Sequence, residues 1–341
     1  MIASDTQMAS SDVSPYPFIE HLLGFQKTAA LKAAVALDLF SAIGKGSETA
    51  AALASRVKAS ERGVRILCDY LTVAGHLEKS GDTYRLTPSA AVFLDRASPA
   101  CITSVVDFLA SPIVIARYLG DPEAIVRNGG ALNEASLAPE DPSWVTFAKS
   151  MVPFIAPVAQ GVASAVAAWS PPPKRILDIA AGHGIFGIAL GAKIPGAQLT
   201  ALDWPNVLVV ARENATKAGL TERFNTIAGS AFDVDWGRGY DVVLLPNFLH
   251  HFDRATNESL LHRAHDALAP GGRVVVVEMV PNDDRVTPPF PATFAFMMLG
   301  GTQHGDAYTL KEFEAMARAA QLGVVASQPL LPSPLTMIVL S

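Results

Sequence analysis

A glycine turn flanked by apolar runs restricts the possible folds most. Residues 174–180 (KRILDIA) read as a short buried strand. It runs straight into Gly182-His183-Gly184-Ile185-Phe186-Gly187, and the segment GIFGIALGAKI that follows has the length of a helix. A strand, a G-x-G-x-x-G turn and a helix in immediate succession open a doubly wound α/β sheet. Downstream, AQLTALD, RFNTIAG, YDVVLLP and RVVVVEMV repeat the short apolar pattern, with helix-length segments such as NVLVVARENATKAG between several of them. Strands alternating with helices predict a mostly parallel sheet whose ligand lies beyond the carboxyl ends of its strands.

The glycine pattern alone also suits a dinucleotide, which would want an acid about 20 positions on, and Asp203 meets that spacing. Asp178 separates the two readings. It stands at the strand end just before the turn, where a pyrophosphate would approach the helix N-terminus. A carboxylate there repels phosphate and attracts an ammonium. S-adenosylmethionine carries an ammonium and a sulfonium but no phosphate, and Asp203 can accept from its ribose hydroxyls. The plain alternative is a strand-turn-helix with two solvated acids. Gly229-Ser230-Ala231-Phe232 ends the third strand as a wall for an adenine edge. Beyond the fourth strand come Asn247 and the adjacent His250 and His251. Neighbouring residues rarely turn both side chains to one ion, and no further Cys or His stands at ligand spacing, so no metal is expected there. One histidine of the pair is expected to be catalytic.

At 341 residues the chain suits two domains, and with 50% hydrophobic and 17% charged residues it has material for sizeable cores. Residues 1–17 are expected to be a disordered tail. They lack the basic and apolar regions of a signal peptide, and with only Cys68 and Cys101 the chain fits a cytoplasmic location. Residues 18–100 read as three helices and a hairpin. Leu31, Ala34, Val35, Leu37, Leu39 and Phe40 form an apolar stripe. Ser47 is expected to cap ETAAALASRV, Ser60 to open ERGVRILCDYLTVAG, and HLEKS and TYRLT to pair across Ser80-Gly81-Asp82.

This winged-helix pattern raises the question of DNA binding. Residues 18–96 carry ten Lys/Arg against eight Asp/Glu, a surplus of two, and the whole chain has net charge -6. Neither supplies the basic stripe that phosphate contacts need, so nucleic acid is not expected as a partner. Alanine- and leucine-rich helices suit packing between subunits instead. Residues 101–170 read as further helices, leading to a 171–341 sheet domain. Two runs, 151–173 and 286–305, lack charged residues and reach membrane-spanning length, but their prolines and polar residues argue for buried pocket walls and against a membrane.

From Lys174 to Ser341, and more loosely back to Phe18, the chain resembles the S-adenosylmethionine-dependent O-methyltransferases of the plant caffeic-acid and bacterial polyketide-tailoring type. Its most specific stretch is HHFDRATNESLLHRAHDALAPGGRVVVVE. The resemblance implies a Rossmann-like class I methyltransferase domain behind a winged-helix-like dimerisation domain, a homodimer, and a small-molecule methyl acceptor of secondary metabolism. It places His250 on the general base and Glu278 on the acid that orients it. Cofactor contacts carry over to Asp178, Gly182, Gly184, Asp203, Trp204, Ser230, Ala231, Phe232 and Asn247. Phe147, Met151, Phe154, His251, Phe294, Met298 and Thr302 fall on the acceptor pocket.

Four positions depart from the family pattern. His251 stands where an aspartate is common, Pro246 where a cofactor-binding lysine is found, and Ser230 where an adenine-side aspartate is found. Ala307 stands where plant members have a second glutamate, and Asp306, one residue away, is a candidate substitute. The resemblance therefore fixes fold and cofactor more firmly than the acceptor. Methyl transfer to carbon or nitrogen, a non-methylating relative, a transcriptional regulator and an NAD-dependent dehydrogenase are the alternatives.

Overall fold

Short apolar segments and the glycine punctuation between them divide the chain into two units, Met1–Val106 and Asp107–Ser341. The computed structural model describes residues 14–132 and 142–341; most of the expected 1–17 tail lies outside these residues. The boundary falls a few residues beyond the expected one. The helices of 107–170 fall in the same unit as the sheet.

In the first unit, α1 (Tyr16–Leu22), α2 (Gly24–Ala36) and α3 (Leu39–Ile43) precede β1 (Glu48–Thr49), α4 (Ala50–Val57), α5 (Glu61–Val73), the hairpin β2 (Leu77–Ser80) and β3 (Thr83–Leu86), and α6 (Pro88–Phe93). The three strands pair in the order β1-β3-β2. The apolar stripe is split in two because Asp38 adopts a left-handed backbone (φ 52°) between α2 and α3. Thr49, not Ser47, caps α4, since Glu48 and Thr49 are drawn into pairing with β3. Ser60 caps α5 as expected, its hydroxyl accepting from the Gly63 N–H at 3.1 Å. Leu39, Phe40, Leu53, Leu71, Leu77 and Tyr84 fill the core. The Tyr84 hydroxyl escapes isolation by donating to Asp69 Oδ1 at 2.7 Å. α1 buries none of its residues and leaves Tyr16, Phe18 and Leu22 exposed.

The second unit begins with α7 (Val105–Leu109, which overlaps the boundary), α8 (Pro112–Leu119), α9 (Pro122–Asn128) and α10 (Pro142–Ala167). Alternation then sets in: β4 (Arg175–Ile179), α11 (Ile185–Lys193), β5 (Gln198–Asp203), α12 (Pro205–Lys217), β6 (Phe224–Ala228), β7 (Tyr240–Pro246), α13 (Arg254–Ala267) and β8 (Leu268–Met279). After α14 (Pro289–Gly301) and α15 (Leu310–Ala319) come β9 (Val324–Pro329) and β10 (Leu335–Leu340). The seven strands run in the order β6-β5-β4-β7-β8-β10-β9, with β10 antiparallel to both neighbours and the rest of the β6-to-β8 ladder parallel.

Strand order reverses between β4 and β7, which opens a crevice beyond their carboxyl ends where such sheets bind ligands. β4 and β7 are covered on both faces, so they read as continuous apolar runs without alternation. The sequence pattern pointed to five strands. β9 and β10 went unseen because a tight turn, with no intervening helix, joins them, and β9 is an exposed edge that carries no burial signal.

α10 carries most of the first uncharged run, up to Ala167. The helix passes unbroken through Pro153 and Pro157 and packs Ala159, Val162, Ala163 and Val166 wholly out of solvent. Among the described residues, Ser143–Ala167 is the one helix long and apolar enough to cross a membrane, and 44% of that window is buried within the protein.

Candidate active site

The glycine turn works through two carboxylates. Asp178, near the end of β4, is buried, and its Oδ2 accepts the Gly187 N–H at 3.0 Å from the first turn of α11. A Cβ on Gly187 would lie 3.1 Å from that same oxygen, closer than an ordinary contact, so a larger residue would crowd the acid. Asp203, ending β5, accepts from the Gly182 N–H with Oδ2 and from the Trp204 N–H with Oδ1, each at 2.7 Å.

These bonds do not offset the loss of water. Burial pushes the Asp178 carboxyl up to about 7, against the Gly187 bond and with some help from the charge of Asp203. Burial likewise raises Asp203 to about 6. Asp178 Oδ1 has no hydrogen-bond partner among the described residues. Buried acids in this condition are poised to receive a cation. His183, within the turn, is driven the other way by burial, down to about 4, and its Nδ1 accepts from the Ile185 N–H.

A cavity of about 380 Å3 opens beside the turn. Of the cofactor residues expected from sequence, Gly182, Asp203, Trp204, Ser230, Ala231, Phe232 and Asn247 line it. Asp178 and Gly184 lie behind that lining: Asp178 supports the turn, and Gly184 (φ 72°) begins α11. Asp233 adds a second carboxylate, while no lysine or arginine is among the described lining residues. Phe232 and Phe248 both meet Phe252 edge-on, at 5.1 and 5.0 Å between ring centroids, which gives the cavity an aromatic corner.

The second cluster lies beyond β7. Asn247 takes a left-handed backbone (φ 51°), a conformation its short polar side chain tolerates, and the chain turns into a 3-10 segment, Leu249–His251. Glu278, near the end of β8, organises that segment. Its Oε1 accepts from the N–H groups of Phe248 (2.9 Å), Leu249 (2.8 Å) and His250 (3.3 Å). Its Oε2 lies 2.6 Å from His250 Nδ1. With Nδ1 engaged, Nε2 is the ring nitrogen left to exchange a proton. Asn257, fully buried on α13, braces the same turn by donating to Leu249 O at 2.9 Å.

His250 packs edge-on against Phe294 at 4.9 Å and lies 4.3 Å from the His251 ring. It is His251, rather than His250, that lines the cavity. Burial first, and the neighbouring charge of His250 second, hold His251 well below the usual imidazole range. Its Nδ1 has no partner among the described residues. A ring that resists protonation and lacks an orienting acid is a poor base; His250 has that acid.

The expected pocket residues separate into groups. Phe147 lines the cavity, with Trp144 one turn earlier on α10. Met151 is buried and Phe154 half-buried on the same helix, while Met298 is buried on α14. Thr302 is buried at the end of the same helix. Its hydroxyl donates to Met298 O and accepts from the Gly305 N–H, both at 2.8 Å, and so closes the end of α14. The Asp306 carboxylate is not turned to His250 but paired with Arg285 at 3.0 Å, although its backbone N–H donates to His250 O at 3.0 Å.

Trp144, Leu202, Val207, Phe248 and Phe252 line the cavity without having been expected. Phe252 was the most accessible of these, two residues past His250; Trp144 stands on a helix whose uncharged run gives no sign of which face meets a ligand. Among the described residues the one metal-type cluster is His262, His265 and Asp266, which shares no residue with the cavity.

Residues 159–322 match the family model of the O-methyltransferase domain, and residues 19–96 match that of the O-methyltransferase dimerisation domain. Over 307 residues the chain is 31% identical to 3-hydroxy-5-methyl-1-naphthoate 3-O-methyltransferase of Streptomyces sahachiroi, covering 87% of this chain and 86% of that one. The chain belongs to the O-methyltransferase family. It is a methyltransferase enzyme, and the family resemblance read from the histidine-to-glutamate segment stands. The fold agrees with the crystal structure of a candidate O-methyltransferase from Nostoc punctiforme at 46% identity and TM-score 0.91, covering 97% of this chain and 99% of that one. Human N-acetylserotonin methyltransferase, crystallised with S-adenosylmethionine, shares the fold at 21% identity and TM-score 0.81, covering 98% and 99%.

Proposed function

We propose that this O-methyltransferase uses S-adenosylmethionine to methylate a hydroxyl of a small aromatic or polyketide-like metabolite, with His250 as general base, and that it works as a homodimer through residues 19–96. The observation that carries the reading is the buried His250–Glu278 pair next to a cavity lined by the acids Asp203 and Asp233. The residues fit the cofactor. Asp203 lines the cavity and can accept from a ribose, Asp178 holds the glycine turn from behind with one buried oxygen unbonded, and Phe232 and Phe252 suit an adenine face. A nicotinamide dinucleotide fits poorly, because its pyrophosphate would meet Asp203 and Asp233 with no lysine or arginine in the described lining. Bound there, S-adenosylmethionine supplies a methyl group on a cationic sulfur, a strong electrophile.

The chain's own part is positioning and proton removal. A phenol is a weak nucleophile while protonated, and neutral His250 can take its proton at Nε2. Glu278 holds Nδ1–H, fixes the tautomer and stabilises the imidazolium that forms. Phe147, Met151, Phe294 and Met298 supply apolar surface that excludes water and suits a flat ring. The activity of the Streptomyces relative, on a hydroxynaphthoate, supports an aromatic acceptor.

The test is calorimetric titration with S-adenosylmethionine and, separately, NAD, followed by turnover on a panel of phenols. Binding of NAD but not S-adenosylmethionine would overturn the reading. So would methylation confined to carbon or nitrogen acceptors.

A further inference from the structure

The backbone of the His250 turn is held from two sides. Glu278 accepts its N–H groups on one side, and on the other the Asp306 N–H donates to His250 O at 3.0 Å. Asp306 belongs to a strap, residues 302–308, that links α14 to α15. The Tyr308 hydroxyl of the same strap donates to Phe252 O at 2.6 Å. Ala307 is buried and has no polar side-chain atom, so the strap's hydrogen bond to His250 is the one from the Asp306 N–H.

The Asp306 carboxylate fixes where that N–H stands. Its Oδ1 accepts from the Ala307 N–H at 2.8 Å, and its Oδ2 pairs with Arg285 Nη1 at 3.0 Å. Arg285 Nη2 reaches Glu312 Oε1 at 2.5 Å, and Glu312 Oε2 accepts from the Thr309 N–H in the capping box that opens α15. One guanidinium thus spans the strap and the first turn of α15. Arg285 stands in a braced turn just before α14, the helix whose Phe294 packs edge-on against the His250 ring. There the Asn282 N–H donates to Thr287 O at 2.7 Å, and Asp284 Oδ1 accepts from the Val286 and Thr287 N–H groups, each at 2.9 Å. Arg285 itself takes a left-handed backbone (φ 57°), uncommon for a long side chain.

We infer that Arg285 is a positioning residue for the proposed base: its fork on Asp306 and Glu312 holds the Asp306 N–H against His250 O and so sets where the imidazole stands. The inference rests on the reading of His250 as general base. Magnitudes separate this role from general stabilisation. The Arg285 and Asp306 side chains are 43% and 37% exposed, and ion pairs in contact with water contribute little to folding. A misplacement of about 1 Å at a reacting group costs on the order of 10²-fold in rate. Loss of Arg285 therefore registers in turnover before it registers in Tm. A lysine, as a point charge, does not reproduce a planar fork on two carboxylates. The neighbouring Lys311–Asp283 pair, at 2.9 Å, ties the same turn to α15 without a bond to Asp306, which makes it the natural control.

The experiment uses the full-length enzyme as wild type, Arg285→Ala, Arg285→Lys, Asp306→Ala, Lys311→Ala and the double variant that joins Arg285→Ala to Asp306→Ala. Each protein is measured for kcat and KM on a panel of phenols that includes both naphthols, for S-adenosylhomocysteine affinity and for Tm. Nitrogen NMR of isotope-labelled histidines follows the His250 ring, assigned by its loss in His250→Gln. Arg285→Ala is expected to lower kcat roughly ten- to a hundredfold, with KM and S-adenosylhomocysteine affinity within a few-fold, a displaced His250 signal and little change in Tm. Arg285→Lys should recover part of the lost kcat. Asp306→Ala should lose as much as Arg285→Ala, and the double variant no more than either, because both act through one contact. Lys311→Ala should keep wild-type kcat. Wild-type kcat with an unmoved His250 signal in Arg285→Ala overturns the inference and leaves the functional reading intact. So does an equal loss in Lys311→Ala, or a double variant in which the losses multiply. If Arg285→Ala does not fold, Asp306→Asn, which removes the charge pair and keeps the backbone N–H, is expected to show the same loss of kcat at wild-type S-adenosylhomocysteine affinity, and unchanged kcat there overturns the inference. Wild-type turnover in His250→Gln, or no methylation of any phenol by wild type, overturns the base and the inference together.

Discussion

Glu278 Oε2 sits 2.6 Å from His250 Nδ1 while Oε1 of the same carboxylate accepts three consecutive backbone N–H groups. One buried acid thus both shapes the turn that carries the proposed base and engages one of its two ring nitrogens. Changing His250 to glutamine or alanine removes the proton acceptor and leaves the turn's backbone bonds to Glu278 in place. Turnover on a phenolic acceptor should fall roughly 10²–10⁴-fold, with S-adenosylhomocysteine affinity within a few-fold of wild type by calorimetry. Full activity on a phenol would remove general-base catalysis by His250.

The two functions of Glu278 separate by substitution. Glu278→Gln can still accept the backbone N–H groups through its amide oxygen but turns an N–H2 toward Nδ1. The imidazole must then place its proton on Nε2, where it cannot act as a base. Turnover should drop steeply with Tm falling only modestly. Glu278→Ala leaves three N–H groups unpaired, at about 1–3 kcal/mol for each buried group, and should lower Tm much further. Similar Tm values for the two variants would contradict this division of labour.

Parts of this site could be read from local spacing, because they lie within one strand-turn-helix-strand unit. Asp178, Gly182 and Asp203 belong to that unit, and structure and sequence agree on their proximity. The His250–Glu278 pair spans 28 positions and came only through family resemblance, as no periodic pattern links a turn after one strand to the end of the next. The capping of that turn by Glu278 was not legible, since a strand pattern does not show which backbone groups a side chain will reach. Which histidine lines the cavity depends on the 3-10 twist after Asn247, and adjacency in sequence cannot decide it. Thr302 and Asp306 are far from His250 in chain order and come beside its turn only in the fold, where a helix end and Arg285 claim their side-chain polar atoms. β9 and β10 escaped because their hairpin breaks the strand-helix alternation.

Cofactor binding should be linked to protons. Asp178 and Asp203 have folded-state values raised from 3.8 to about 7 and about 6 by burial. Between about pH 4 and 7 the unliganded fold therefore binds more protons than the unfolded chain, and these groups cost stability as pH rises through that window. A cationic ligand reverses the preference by favouring the carboxylates. S-adenosylmethionine affinity should rise from pH 5 to 8, and titrations in buffers of different ionisation enthalpy should show proton release. Asp178→Asn should weaken binding and flatten the pH dependence. Affinity that is constant from pH 5 to 8 would mean the acids do not titrate in this range.

Gly305 ties the end of α14 to the catalytic turn at close range. A Cβ there would fall 2.2 Å from His250 O and 2.5 Å from Thr302 Oγ1. The first is backbone of the turn itself, so the contact cannot be relieved by rotating a side chain. Gly305→Ala should push the Asp306 N–H off His250 O, lower Tm, and shift the base relative to the acceptor. A displacement of that kind near a reacting group can cost on the order of 10²-fold in rate. Of the residues it meets, only His251, through its backbone carbon at 3.1 Å, lines the cavity, so S-adenosylhomocysteine affinity should change less than turnover. The distinguishing readout is kcat against that affinity: a variant that loses both in proportion would place Gly305 in general folding rather than in holding His250.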